Sequence, residues 1–282
     1  MTHFSDSTRT MKLPAKLLER ADRIWLQNPW TIVEFVGQLI RAFPHTLSDI
    51  GSARWKTTLM ELGRSLIRSF VRSLVPVVGL VAVTVWGIGE ISRVLGPLTR
   101  PMFQQSVLPL LLETILPIVL ATVISARQGA TLVAKYLAGV GQWSKHPPES
   151  SQGLAELQRE VMPRIVGGVT SSILFHLLLC WGLLFGYLSQ GNVAEFSAVP
   201  LHAVWGFLDQ HGLWPSIYLG AARSAASALM IVLIASALGM RGGRRVASPQ
   251  ATPPADPDDR YDAAWESSVM SLLCSFIIAF LP

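Results

Sequence analysis

The chain has 282 residues, of which 50% are hydrophobic and 15% charged, with a mean hydropathy of +0.42, a net charge of +5 and a pI of about 9.6. So much apolar surface exceeds what the core of a water-soluble chain of this length can bury, and the surplus has to face lipid. The basic residues are confined to segments between long apolar runs, which is the pattern of membrane topology and excludes a nucleic-acid-binding face.

Residues 1–27 contain Arg9, Lys12, Lys16, Arg20 and Arg23 without an apolar run, so no cleavable signal is expected and the N-terminus should stay in the cytoplasm. From Trp30 onward, Ile32, Val33, Val36, Leu39, Ile40 and Phe43 recur at helical spacing, opposed by Glu34, Gln38 and Arg41. This pattern predicts an amphipathic helix in the cytoplasmic membrane interface, followed by a connector to residue 72. The alternative is an amphipathic helix packed on the protein's own cytoplasmic face.

A membrane-spanning helix needs about 20 mostly apolar residues. Four segments meet that need, Ser73 to Ile91, Ser106 to Ser125, Ile165 to Leu188 and Ser216 to Met240, and a shorter one runs from Trp265 to Leu281. The predicted fold is an all-α integral membrane protein with five transmembrane helices, preceded by the N-terminal interfacial helix. Pro76, Pro109 and Pro117 lie inside the first two spans, where each removes a backbone donor and is expected to kink its helix. Gly182 and Gly186, and the run Ser224 to Ala228, allow helices to approach closely.

Alternate loops are basic. Arg54, Lys56, Arg64, Arg68 and Arg72 precede the first span, and Arg127, Lys135, Lys145, Arg159 and Arg164 separate the second from the third. Arg241, Arg244, Arg245 and Arg260 follow the fourth, whereas Ser189 to Trp214 contains Glu195 and Asp209 and no lysine or arginine. This asymmetry predicts a cytoplasmic N-terminus and an extracytoplasmic C-terminus. The proline- and acid-rich segment from Ser248 to Asp259 reads as a disordered cytoplasmic loop.

No G-x-x-x-x-G-K-[ST] motif occurs, so any ATP that drives this protein is expected to bind a separate subunit. The six histidines lack metal-ligand spacing, and Cys180 and Cys274 read as small core residues, so no catalytic, cofactor or metal residues are expected. The polar residues of interest are Glu113, Arg127, Lys135 and Arg223, inside or beside apolar segments where an ionisable group usually faces a bundle interior or a wet cavity. For the three cations the alternative is snorkelling to the headgroups, and for Glu113 a structural hydrogen bond. Farther on, Leu154, Leu157 and Val161 form one apolar edge of a predicted short helix after Pro147, Pro148 and Gly153, with Glu156, Arg159 and Glu160 facing out. Such a helix suits docking on a soluble partner, or folding back on this chain's own cytoplasmic face.

The stretch PIVLATVISARQGATLVAK, Pro117 to Lys135, resembles the hallmark segment of MlaE/YrbE-type permeases, the membrane subunits of MCE lipid-transport ABC systems. Pro117, Arg127 and Gly129 match that family's spacing, Met162-Pro163-Arg164 is similar to its Pro-Arg lead-in to the next span, and Arg223-Ser224 resembles its Lys-Ser. The similarity extends from about Trp30 onward. It implies a lipid-moving permease subunit that pairs with itself or a paralogue, with cytoplasmic ATPase subunits and MCE-domain lipid-binding proteins as partners and membrane lipids as cargo. It also implies that Leu154, Glu156, Leu157, Arg159 and Glu160 contact the ATPase, and that Glu113, Arg127, Lys135 and Arg223 line the lipid pathway. The family's acidic residue before its Gly-Pro is replaced by Thr114, its Ala-Glu becomes Ala134-Lys135, and the docking segment differs. These departures leave open a structural subunit not coupled to ATP, and a weaker alternative is an ion-driven transporter using Glu113. Cysteines introduced between Ser189 and Trp214 should label with a membrane-impermeant maleimide from outside, and those near Ser248 should not; the reverse pattern defeats this topology.

Overall fold

The computed structural model describes residues 28–50, 55–95, 99–125, 151–190, 199–247 and 257–281. Among them every regular element is helical, and no strand occurs. In chain order the helices are α1 (Asn28–Ile50), α2 (Trp55–Val94), α3 (Thr99–Ile124), α4 (Ser151–Leu188), α5 (Leu201–His211), α6 (Trp214–Ala247) and α7 (Pro257–Phe280). Four are long and apolar enough to cross a membrane, over Leu62–Val94, Thr99–Ile124, Val161–Leu188 and Trp214–Gly239. The apolar part of α7, Ala264–Phe280, is shorter.

Two helices start earlier than the apolar runs suggest. Helix α2 begins at Trp55 and passes unbroken through Arg64, Arg68 and Arg72 into the first apolar run. Helix α4 begins at Ser151, so Leu154 to Val161 is not a separate short helix but the first turns of the third span. Hydropathy reports only where lipid-compatible side chains begin; a helix, once nucleated, continues through polar residues until a breaker stops it. Pro163 does not break α4: it is one missing donor within a long ladder of hydrogen bonds.

In α3 the prolines have a visible local effect. A wide, i→i+5 turn covers Phe103–Val107 just ahead of Pro109, and another covers Leu111–Ile115 just ahead of Pro117. The Leu108 and Leu116 amides donate to the Phe103 and Leu111 carbonyls, five residues back. Widening the turn is one way for a helix to absorb the bulk of a proline ring and keep going.

Small residues set the packing of α2 on α4. A Cβ on Gly186 would lie 2.5 Å from the Val85 carbonyl oxygen, and one on Gly182 would lie 2.9 Å from the Val81 side chain. The same pair is joined by Ser92 Oγ donating to the Tyr187 carbonyl at 2.9 Å and by Phe70 stacked on Phe175 at 4.8 Å. The G-x-x-x-G pair expected from sequence is therefore a real point of close approach. Helix α6 touches α1, α3, α4 and α7 and is the hub of the remaining contacts.

Helix α1 has three sides. Ile32, Phe35 and Leu39 are buried in a cluster with Val161, Ile234, Leu238 and Met270, Glu34 and Arg41 are exposed, and Trp30, Val33 and Ile40 form an uncovered apolar edge. Helix α1 thus packs on the bundle by one side and keeps an exposed apolar edge on another.

The opposite end of the bundle carries α5, in a segment read from sequence only as an acidic loop. Val204 and Leu208, one turn apart, are buried, and Gly212, in the left-handed region at φ 59°, ends the helix with the Leu213 amide donating to the Leu208 carbonyl at 3.0 Å. Trp214 Nε1 donates to Asp209 at 2.7 Å, and Trp205 lies between Trp181 and Trp214 at centroid distances of 5.9 and 4.8 Å.

These contacts predict opposite effects for two glycines. Gly186→Ala should destabilise the protein by about 1–3 kcal/mol, because a methyl group must displace the Val85 backbone. Gly79, with nothing within 4 Å of its would-be Cβ, should tolerate Ala or gain about 0.5–1 kcal/mol from helix propensity. Thermal unfolding in detergent of the two variants checks this, and a destabilised Gly79→Ala beside an unaffected Gly186→Ala would contradict the packing described.

Candidate functional site

Proline at position 117 has no N–H, so the carbonyl of Glu113, four residues earlier, cannot make the usual i→i+4 bond. In an apolar bundle an unpaired carbonyl costs about 1–3 kcal/mol, and it has to find a partner elsewhere. Its partner is Arg223, near the start of α6. Arg223 Nη1 donates to the Glu113 carbonyl at 3.1 Å and to Thr114 Oγ1 at 3.2 Å, and Nη2 donates to the Leu281 carbonyl at 2.7 Å.

One guanidinium thus joins three helices: α3 at the turn opened by Pro117, α6 through its own backbone, and the end of α7. Its position on the Leu281 carbonyl is also favourable electrostatically, because the last carbonyls of a helix carry partial negative charge. All three acceptors are neutral, and among the described residues no carboxylate forms an ion pair with Arg223. Arg223 is half-buried, and its bond to Leu281 lies at the exposed edge. Chemically this is a cation oriented by three neutral acceptors among the described residues.

Of the four intramembrane residues named from sequence, two come together here. Arg223 meets Glu113 through the backbone carbonyl of Glu113 and not through its carboxylate, whose side chain is half-buried. The hydrogen bond at this position runs to the Glu113 backbone carbonyl. Arg127 and Lys135 lie outside the described residues. Leu154, Glu156, Leu157, Arg159 and Glu160 are on the described backbone of α4, and their side chains lie outside the described part.

A second polar junction, missed in the sequence reading, joins α4 to α6. His176 is fully buried, its Nδ1 lies 3.2 Å from Ser224 Oγ and its Nε2 3.3 Å from Cys180 Sγ, while Ser172 Oγ donates to the Ser224 carbonyl at 3.0 Å. Gly220 makes room for it: a Cβ there would collide with the His176 ring and with the Leu112 carbonyl. The available signal was a pair of i,i+4 patterns, His176 with Cys180 and Gly220 with Ser224, each in an apolar run. Neither is informative until the two helices are known to be neighbours. Among the described residues no group of three or more His, Cys, Asp or Glu side chains is placed to hold a metal ion.

No family model matches the chain, and no curated protein matches it.

The account of Arg223 yields a coupled prediction. Arg223→Leu should destabilise the protein by about 1–3 kcal/mol, because it leaves the Glu113 carbonyl unpaired. Pro117→Ala restores a helical donor to that carbonyl, so the same Arg223 change should cost less in the Pro117→Ala background. A double-mutant cycle read by thermal unfolding measures the difference, and strictly additive effects would mean that Arg223 does not compensate for Pro117.

Proposed function

We propose that this chain is the permease subunit of an ABC-type lipid transporter of the MlaE/YrbE kind, moving lipids or other hydrophobic molecules between a bacterial cytoplasmic membrane and an MCE-domain partner. In this reading α2, α3, α4, α6 and α7 are the five spans, α7 being the short last one. Helix α1 lies in the cytoplasmic interface, with Trp30, Val33 and Ile40 in lipid and Glu34 and Arg41 in water. The observation that carries the proposal is the Arg223 guanidinium, oriented by three neutral acceptors, on the Arg-Ser that resembles the family's Lys-Ser. A phospholipid headgroup would bring an anion to this cation, and apolar burial of its chains contributes about 0.8 kcal/mol per CH₂.

The extended α4 suits the coupling role. Leu154, Glu156, Leu157, Arg159 and Glu160 are on the same helix as the third span, so a push from an ATPase subunit at this end would travel along a rigid rod to Gly182, Gly186 and the α2 contact. The outward face of α2, with Val71, Val75, Val83 and Trp86 exposed, is free for lipid or for a second permease, identical or paralogous. The rival reading, a structural subunit of a heteromeric complex not coupled to ATP, is favoured by Lys135, where the family has an acid.

Purification from mild detergent should bring down an ATPase and an MCE-domain protein along with phospholipid, identified by mass spectrometry. Charge reversal at Glu156, Arg159 and Glu160 together should weaken ATPase association and abolish ATP-dependent lipid movement in proteoliposomes while the chain stays folded. Parental binding and transport in that triple variant would remove the coupling assignment and favour the structural subunit.

A further inference from the structure

Helix α5 presents three sides. Val204 and Leu208 are buried, with Phe207 and His211 partly buried beside them. Next round the helix come Leu201 and Trp205, exposed by 63% and 48%, and after them the exposed polar side of His202, Asp209 and Gln210. Helix α1 has the same order of sides, with Ile32, Phe35 and Leu39 inward, Val33 and Ile40 apolar and exposed, and Glu34 and Arg41 polar and exposed. In water an exposed apolar edge is unfavourable, and in hydrocarbon a polar side is. A helix that carries both, besides its packed face, suits the boundary between the two.

Trp205 also belongs to a strip of aromatic rings that crosses three helices. Its ring lies 5.9 Å from Trp181 on α4 and 4.8 Å from Trp214 on α6, and Trp214 stacks on the exposed Tyr218 at 5.9 Å. Trp181 follows Leu174 and Leu178, both exposed, at i, i+4 and i+7 on the outward side of α4, so the strip is continuous with the apolar outer surface of that span. Tryptophan and tyrosine gather where hydrocarbon gives way to headgroups, because an apolar ring and a polar tip are both accommodated there. One such tip is turned to the polar side of α5, where Trp214 Nε1 donates to Asp209.

The spacing of α1 and α5 fits a bilayer. Helix α1 shares its buried cluster with Val161 on α4 and with Ile234 and Leu238 on α6, whereas Trp205 meets α4 at Trp181 and α6 at Trp214. Val161 and Trp181 are separated along α4 by about 30 Å at the rise of an α-helix, which is the thickness of a hydrocarbon core. On α6 the separation from Trp214 to Ile234 and Leu238 is about 30–36 Å.

We propose that α5 lies in the membrane–water boundary at the end of the bundle opposite α1, with Leu201, Trp205 and Tyr218 at the level of the lipid headgroups. The occupant of its exposed apolar edge is membrane lipid, and the two helices mark off one hydrocarbon thickness between them. The α1 half of this pair belongs to the functional reading above; the position of α5 rests on its own three sides and on the ring strip, and neither depends on transport.

The test uses the full chain in phosphatidylcholine nanodiscs, with a nitroxide side chain at one introduced cysteine in a Cys274→Ala background, Cys180 being buried. The labelled variants are Leu201→Cys and Gln210→Cys on α5, Ile40→Cys on α1 and, as the reference for hydrocarbon, Leu174→Cys on α4. Electron paramagnetic resonance reads how often each nitroxide collides with oxygen, which concentrates in lipid, relative to a water-soluble nickel chelate. That ratio should be highest at Leu174, intermediate at Leu201 and Ile40, and several-fold lower at Gln210 than at Leu201. Equal ratios at Leu201 and Gln210 overturn the proposal, because the edge then faces water, and a Leu201 ratio equal to that of Leu174 overturns it by placing α5 inside the hydrocarbon. A Leu201 label reached by neither reagent means that a second copy of the chain covers the edge, which also overturns it. If Leu201 is intermediate and Ile40 matches Gln210, the interfacial position of α1 is refuted and with it the pairing, while α5 keeps its place. If Ile40 is intermediate and Leu201 matches Gln210, the proposal for α5 fails alone.

Discussion

A hydrogen that proline does not have organises much of this bundle. Because Pro117 cannot donate, the Glu113 carbonyl is left open one turn back, and the turn between them widens to accommodate the ring. In water such a carbonyl would be solvated; inside an apolar bundle it must recruit a donor from another helix. Arg223 answers that need, and in doing so it spends one guanidinium nitrogen on α3 and directs the other to the end of α7. A local defect in one helix thus becomes the joint at which three helices meet.

The other contacts follow a different rule. Where α2 meets α4, Gly182 and Gly186 let backbones approach until a methyl group would collide, and the gain comes from many short contacts between surfaces of matching shape. At the α4–α6 contact Gly220 makes room for a buried histidine, whose two nitrogens are occupied by Ser224 and Cys180. These two contacts are well satisfied and tight. The α7 contact differs: it is lined by small polar side chains, three of them without hydrogen-bond partners. The contrast sets the contacts among α2, α4 and α6 apart from α7, whose buried face carries unpaired hydroxyls and whose end is bonded to Arg223.

That division suits the proposed role. A lipid permease needs a rigid frame to carry force from a motor subunit and one element that yields to admit an amphiphile. Helix α4, continuous from Ser151 to Leu188, has the length and the rigid contacts of the former. Helix α7, with unpaired hydroxyls on its buried face, is the candidate for the latter.

The sequence by itself determined the class and much of the layout. Runs of apolar residues of spanning length locate α2, α3, α4 and α6, because the cost of an unpaired backbone in lipid leaves helices as the only solution for such runs. Of the apolar positions whose period marks α1, Ile32 and Leu39 are buried while Val33 and Ile40 are exposed, and the spacing of Gly182 and Gly186 marks the close approach to α2. Helix starts were less legible, since hydropathy ends where lipid would end and the hydrogen-bond ladder does not. Arg223 and Glu113 could each be singled out as ionisable residues in apolar surroundings, but their relation could not. They are more than a hundred positions apart, and the bond runs to a backbone carbonyl that only the position of Pro117 sets free. His176, Ser224 and the serines of α7 were hidden for the same reason: whether a polar side chain in a span is paired, latched or left without a partner depends on which helix lies opposite, and only the tertiary structure decides that.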